Sequence, residues 1–383
     1  MIARRRQVAL ALTVLLAAGA ACQAENRPER APGRPAPTSA ARGFTLVASG
    51  DVLPSASVIE RAKFDAGGNG YDFRPMLAGI EPVVSRADLA LCHMETAYGA
   101  NGAYTGSPLF KSPPEVAAAL VATGYDGCST ASEHALDDGP AGIVQTLDAM
   151  DRAGLRHAGT ARTADEARTV TILQAGPARV AHLAYTDNTN AGAVPADQPA
   201  VVNPLDVQRI VADAHAARQA GADVVVVSVH WGTAWQDAPD QRQLTLAKQL
   251  TAARTGSRPD IDLVLGTHGQ APQAFEKVNG TWVVYGLGAQ ISGETAGGQS
   301  AQDPRGNQST LGRFTFAPPA KAGGRWEVTR AEFVPQMYDL DAGRVVDLGA
   351  AIASGAELVP VRDRIRDIVF GRGAAKDGLV MGS

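Results

Sequence analysis

The sequence predicts an α/β fold with mixed sheets flanked by helices, and three stretches carry that expectation. Two apolar runs, VVVVSV at 224–229 and LVL at 263–265, show almost no polar alternation, as strands buried on both faces require. Between them, residues 241–254 place Leu244, Ala247, Leu250 and Thr251 at helical spacing on one face. Strand, helix, strand is the βαβ unit, so the two strands run parallel and their C-terminal ends lie side by side. Antiparallel pieces supply the mixed character. Residues 169–174 and 179–186 read as a hairpin about Gly176-Pro177, and 311–316 and 326–335 as a second pair turning at Gly323-Gly324.

In chain order, Arg4-Arg5-Arg6, an apolar run at 8–16 and small residues at 17–21 read as an export signal, assigned to residues 1–22. Cys22 follows Gly19-Ala20-Ala21, which resembles a bacterial lipoprotein processing site with glycine where a leucine normally stands. The expectation is an exported chain at the extracytoplasmic face of the cell membrane, with Cys22 the candidate point of lipid attachment. Residues 23–42 are rich in Pro, Ala, Arg and Glu without periodicity and read as a disordered tether. No linker interrupts the rest, so residues 43–340 are taken as one domain and 341–383 as a C-terminal extension.

The whole chain is 45% hydrophobic and 19% charged, with a net charge of −4. That composition is globular and lacks the basic excess of a nucleic-acid binder. Besides Cys22, the cysteines are Cys92 and Cys128, each in a short strand-like run, which favours buried free thiols over a disulfide or a metal pair.

The first strand, FTLVAS at 44–49, ends in Gly50-Asp51. A turn and helix at 71–85 lead to a strand at 88–92 that ends in His93-Met94-Glu95-Thr96. A helix at 113–122 carries Pro in its first turn. A brief strand at 127–130 precedes Ala131-Ser132-Glu133-His134. Ile143, Leu147, Met150 and Ala153 mark an amphipathic helix closed by Gly154, and residues 204–221 form a helix capped by Asn203. Residues 294–309 read as an exposed loop rich in Gly, Gln and Ser, and 361–370 as a terminal helix. Five strand ends thus deliver a carboxylate or an imidazole: Asp51, Glu95, Glu133-His134, His230 and His268. Open α/β sheets keep ligands at that edge, and mixed carboxylate and imidazole ligation suits divalent cations of the Mn, Fe or Zn class.

The motifs GDVLPS (50–55), DLALCHMET (88–96), ASEHALDDG (131–139), VSVHWG (227–232), GTHGQ (266–270) and YGLG (285–288) recur in the order seen in the CapA family. These are bacterial poly-γ-glutamate capsule-synthesis proteins, similar in fold to calcineurin-like metallophosphoesterases. The resemblance spans about residues 44–290. It implies a layered metallophosphoesterase-like fold and a metal site. Asp51 would be the bridging-type carboxylate, Glu95 the second-motif ligand, and His230 and His268 metal ligands. His134 would be the catalytic proton donor near the leaving group. Glu133 stands where the family carries a ligating asparagine, and Gln270 and Leu53 stand where imidazoles are expected of one metal position. One cation rather than two is therefore expected, held by Asp51, Glu133, His230 and His268, with Glu95 bridging or outer. His93, Trp231 and Gln270 are candidates for substrate contact.

The implied function is an exported envelope enzyme acting on an anionic or peptide-like polymer of the poly-γ-glutamate type. A capsule synthesis or export complex in the membrane is the implied partner. Two other readings stay open: a non-catalytic polymer-binding or assembly protein, and a metal-assisted acid/base enzyme such as a peptide epimerase.

Overall fold

The computed structural model describes residues 42–99, 102–190, 194–293, 304–321 and 324–382. The expected export signal, Cys22 and the tether as far as Ala41 lie outside the described residues, as do loop positions 294–303 and Gly323.

Two mixed sheets pack face to face. In the first, Phe44–Val52, Leu89–Met94, Gly127–Ser129 and Arg156–Ala158 run parallel. On the other flank of Phe44–Val52 come Gln308–Ala317, Glu327–Asp339 and Arg344–Asp347 in antiparallel order. In the second sheet, Thr281–Val284, Leu263–Thr267, Val224–His230 and Ala178–Thr186 run parallel, with antiparallel strands Phe275–Val278 and Thr171–Ala175 at its edges.

Side-chain alternation explains the layering. Phe44, Leu46, Ala48, Leu89 and Leu91 meet Val224, Val226, Leu263, Leu265 and Val284 between the sheets. The intervening Val47, Ala90 and Met94 point the other way, onto helices Ala56–Asp65, Glu115–Thr123 and Gly139–Ala153 through Val58, Leu120 and Leu147. Val225, Val227 and Val229 do the same on the second sheet, against Ile210, Ala214, Ala247 and Leu250 of helices Val207–Gln219 and Gln241–Ala252. Both faces of Val224–His230 are therefore apolar, which is why its sequence shows no alternation. Each buried Val, Leu, Ile, Phe or Met among them contributes about 1.5–3 kcal/mol by leaving water.

Several expectations change. Cys92 and Cys128 form a disulfide, because they face one another on neighbouring parallel strands. Helix Val207–Gln219 is capped by Asp206, whose side chain accepts from the Arg209 amide, while Asn203 instead bonds the Ala184 carbonyl and the Arg209 guanidinium. Helix Ala56–Asp65 gave no clear periodic signal and was not anticipated. The end of the expected 294–309 loop is a short 3-10 turn, Pro304–Asn307, followed by buried Gln308 and Ser309 on a strand. Beyond Leu340, the strands Arg344–Asp347 and Leu379–Met381 both pair with Glu327–Asp339, so this stretch builds the first sheet rather than trailing from it. Among the described residues, no helix is long and apolar enough to cross a membrane.

Candidate metal centre

Asp51 is reached through an irregularity in its strand. The register against Leu89–Met94 shifts between Ala48 and Asp51, and over the same step the partner changes from Gln308–Ala317 to Ala289–Ile291. Such bulges re-aim side chains. Gly50 makes this one sterically feasible, since a Cβ there would lie 1.8 Å from the Gly288 carbonyl oxygen. Asp51 is fully buried and its Oδ1 accepts from the His268 amide at 3.3 Å. Burial pushes its carboxyl up to about 7, although the amide hydrogen bonds of His268 and Gln270 and the charge of His268 pull the other way. His268 and Gln270 both adopt left-handed backbone, with φ of +87° and +50°. That strained turn aims two amides at one carboxylate, and strain of this kind collects at functional sites.

Of the two histidines that organise the second sheet, His230 ends its strand and His268 directly follows the adjacent one, with His230 opposite Thr267 in register. Their rings are 4.6 Å apart. Across the gap stand residues of the first sheet, so the cluster forms where the C-terminal ends of two sheets converge rather than along a single rim. Glu95, Glu133, His230 and His268 each present a donor atom within 4.8 Å of the others, and Asp51, His93 and Glu95 form an overlapping group. His134 is adjacent, its Nε2 3.6 Å from Glu133 Oε1.

Electrostatics set this cluster apart. Glu95 is held well above the usual carboxylate range by burial, then by the charges of Asp51, Glu133 and Asp137. Burial pushes His230 well below its usual range, followed by the charges of His268, His93 and His134. For His268, burial would lower the pKa, but Glu133 and Asp51 raise it overall. Burial would likewise raise Glu133, yet His268, His134 and Asn190 lower it. Without a cation, His268 and Glu133 therefore stand as an ion pair, Nδ1 to Oε1 at 3.4 Å, outside hydrogen-bond geometry.

The test of fit for a metal is the fate of the buried donors. Asp51 Oδ2, both oxygens of Glu95, His230 Nε2 and His268 Nδ1 have no hydrogen-bond partner. Each buried polar atom left unpaired costs about 1–3 kcal/mol. Five at one point, from carboxylates and imidazoles, match the donor set of a divalent cation and fit it.

Some expected site residues act otherwise. Trp231 follows His230 on the strand path and turns to the opposite face; it is 1% exposed, donates Nε1–H to the Tyr285 carbonyl at 2.9 Å and stacks on Tyr285. It is a core residue and does not meet substrate. His93 is equally buried, with its ring nitrogens engaged by Ser129 and His230, so it too is closed to substrate. Gln270 lies at the turn beside Asp51. Three contributors were missed: Ser129 beneath His93, Asp137 holding His134 Nδ1 at 2.7 Å, and Asn190, whose amide donates to the Glu133 carbonyl at 2.7 Å. Asp137, three residues after His134 in HALDDG, was the one visible in sequence.

The description "Bacterial capsule synthesis protein PGA_cap" matches residues 45–294, more than half of the chain, and the chain belongs to that family. It is 28% identical over 177 residues to the capsule biosynthesis protein CapA of Bacillus anthracis, covering 45% of this chain and 42% of that one. It is 27% identical over 161 residues to the PGA biosynthesis protein CapA of Bacillus subtilis, covering 42% and 40%. The match thus spans less than half the length of these relatives. Among solved structures, a 5′-nucleotidase precursor from Thermus thermophilus aligns with 84% of this chain and 59% of that one, at 16% identity and a TM-score of 0.46.

Proposed function

We propose that this chain acts at the cell envelope in the synthesis or attachment of an anionic capsule polymer of the poly-γ-glutamate type, as a cation-assisted hydrolase. The relatives named as capsule and PGA biosynthesis proteins support the polymer class. The observation that carries the chemistry is the convergence of five buried donor atoms without a hydrogen-bond partner, from Asp51, Glu95, His230 and His268.

Those residues, with Glu133, would hold one divalent cation of the Mn, Fe or Zn class. When bound, such a cation supplies Lewis-acid polarisation of a phosphoryl or carbonyl oxygen and a more acidic water. The chain's own groups then have separate tasks. His134 is fixed through Nδ1 by Asp137, which also accepts the Phe110 amide at 2.6 Å, and its ring packs edge-on against Phe110. A carboxylate on one ring nitrogen leaves the other, Nε2, to deliver a proton to a leaving group beside Glu133. Asn190 and the turn at His268–Gln270 hold Glu133 and Asp51 in place. Gln270 borders the centre and is the candidate for substrate contact.

The test is metal analysis of the chain purified without chelator, with His230→Ala as control, followed by a panel of phosphodiester and amide substrates. The reading requires metal in the parent, its loss in the variant, and turnover that metal removal abolishes. Retention of polymer without turnover would instead make this a binding protein.

A further inference from the structure

Directly below the centre, two strands carry consecutive matched pairs. Cys92 faces Cys128 and is cross-linked to it; one residue on, His93 faces Ser129. The disulfide points toward the helices and the His93–Ser129 pair toward the other sheet, by strand alternation. His93 Nδ1 lies 2.8 Å from Ser129 Oγ, and His93 Nε2 lies 3.0 Å from His230 Nδ1.

Hydrogen-bond roles follow from counting protons. The Cys92 carbonyl, 3.4 Å from Ser129 Oγ, can only accept; a Ser129 hydroxyl turned toward it accepts from His93 Nδ1–H across 2.8 Å. That leaves His93 Nε2 as an acceptor, and a 3.0 Å contact between two ring nitrogens needs one donor. With that donor order His230 carries its proton on Nδ1. Thr267 is compatible with it, its Oγ1 lying 3.4 Å from both the Val229 carbonyl and His230 Nδ1. His230 Nε2 is then a bare lone pair, 3.9 Å from Glu95 Oε1 and without another partner.

We propose that His93, seated on Ser129, is a positioning residue that locks His230 in the Nδ1–H tautomer, so that Nε2 faces Glu95 ready to ligate a cation. The proposal rests on the cation reading above for its purpose, but the tautomer can be measured without any cation. A metal ligand commonly has its other ring nitrogen fixed in this way. Here the fixing group is a second imidazole on the opposite sheet, which ties the two halves of the site together.

Ring-nitrogen NMR of the 15N-labelled, metal-free full chain reads the tautomer directly, with His230→Ala identifying the signal among the seven histidines. The expected result is Nδ1–H at His230 in the parent and a mixed or reversed tautomer in His93→Leu and Ser129→Ala. Zinc affinity by chelator competition should fall about 10–100-fold in His93→Leu with the number of bound ions unchanged. His93→Gln should restore most of it, since its amide can accept from His230 and donate to Ser129. Nε2–H in the parent would overturn the proposal, as would unchanged affinity in His93→Leu. Loss of one equivalent of metal in both His93 variants would also overturn it, making His93 a ligand. Should His93→Leu fail to fold, Ser129→Ala decides alone. A parent that binds no cation refutes the proposed function, while the tautomer still decides the relay.

Discussion

Cation affinity should depend steeply on pH, and Asp51 sets the scale. Its carboxyl is pushed up to about 7, chiefly by burial, so below that pH it holds a proton that an incoming cation must displace. Each pH unit below 7 therefore weakens binding by about 1.4 kcal/mol for this proton alone. At pH 5.5 the cost is about 2 kcal/mol, or roughly 30-fold in affinity. Glu95 and His268, both shifted upward, add to the effect in the same direction. Titration calorimetry of the chelator-stripped chain with Mn²⁺ between pH 5.5 and 8.5 measures the slope. Repeating it at pH 6 in two buffers of different ionisation enthalpy counts the protons. At least one proton should leave per cation at pH 6, and Asp51→Asn should remove one from the count. A flat affinity between pH 5.5 and 7 with no proton release would refute the reasoning, since it would mean the acidic cluster is already ionised or does not bind.

Five further outcomes follow from particular contacts. His268→Ala should lower cation affinity by about 10–100-fold or more, because loss of a ligand costs at least as much as loss of its outer partner. His268→Gly should lose as much affinity yet melt higher than His268→Ala, since the +87° backbone angle suits glycine and the strain it relieves is about 1 kcal/mol or more. Asp137→Asn should keep the metal content but slow any turnover by about 10²–10⁴-fold, as a misoriented His134 cannot deliver its proton. Replacing Cys92 and Cys128 by alanine opens a link spanning 36 residues and should cost about 4 kcal/mol in denaturant unfolding on a chain-entropy basis. Gly50→Ala should cost about 1–3 kcal/mol in the same assay and weaken cation binding, because the backbone that aims Asp51 must shift.

Much of this protein was determined by sequence alone. The unbroken valine run into His230 and its twin into His268 could only be central parallel strands, and the structure pairs them in register. Asp51, Glu95, Glu133 and His134 also reach the same cluster, because a strand's carboxyl end is where its polar terminus must emerge from an apolar sheet. What the chain could not disclose in one dimension is which strand lies beside which. The Cys92–Cys128 bond and the His93–Ser129 pair exist because Leu89–Met94 and Gly127–Ser129 are neighbours, a fact set by the packing of the helices between them. Trp231 looked available because it follows a ligand, but alternation across a strand sends adjacent side chains into different layers. His93 shares the ligands' layer and is closed off by Ser129 and His230 on its two ring nitrogens. The joining of two sheets over one cluster is likewise a tertiary outcome: burying Phe44, Leu46 and Leu91 against Val224, Val226 and Leu265 brings Asp51 and Glu95 over His230 and His268. Local pattern chose the elements, and the apolar interface between the sheets chose which polar ends would meet.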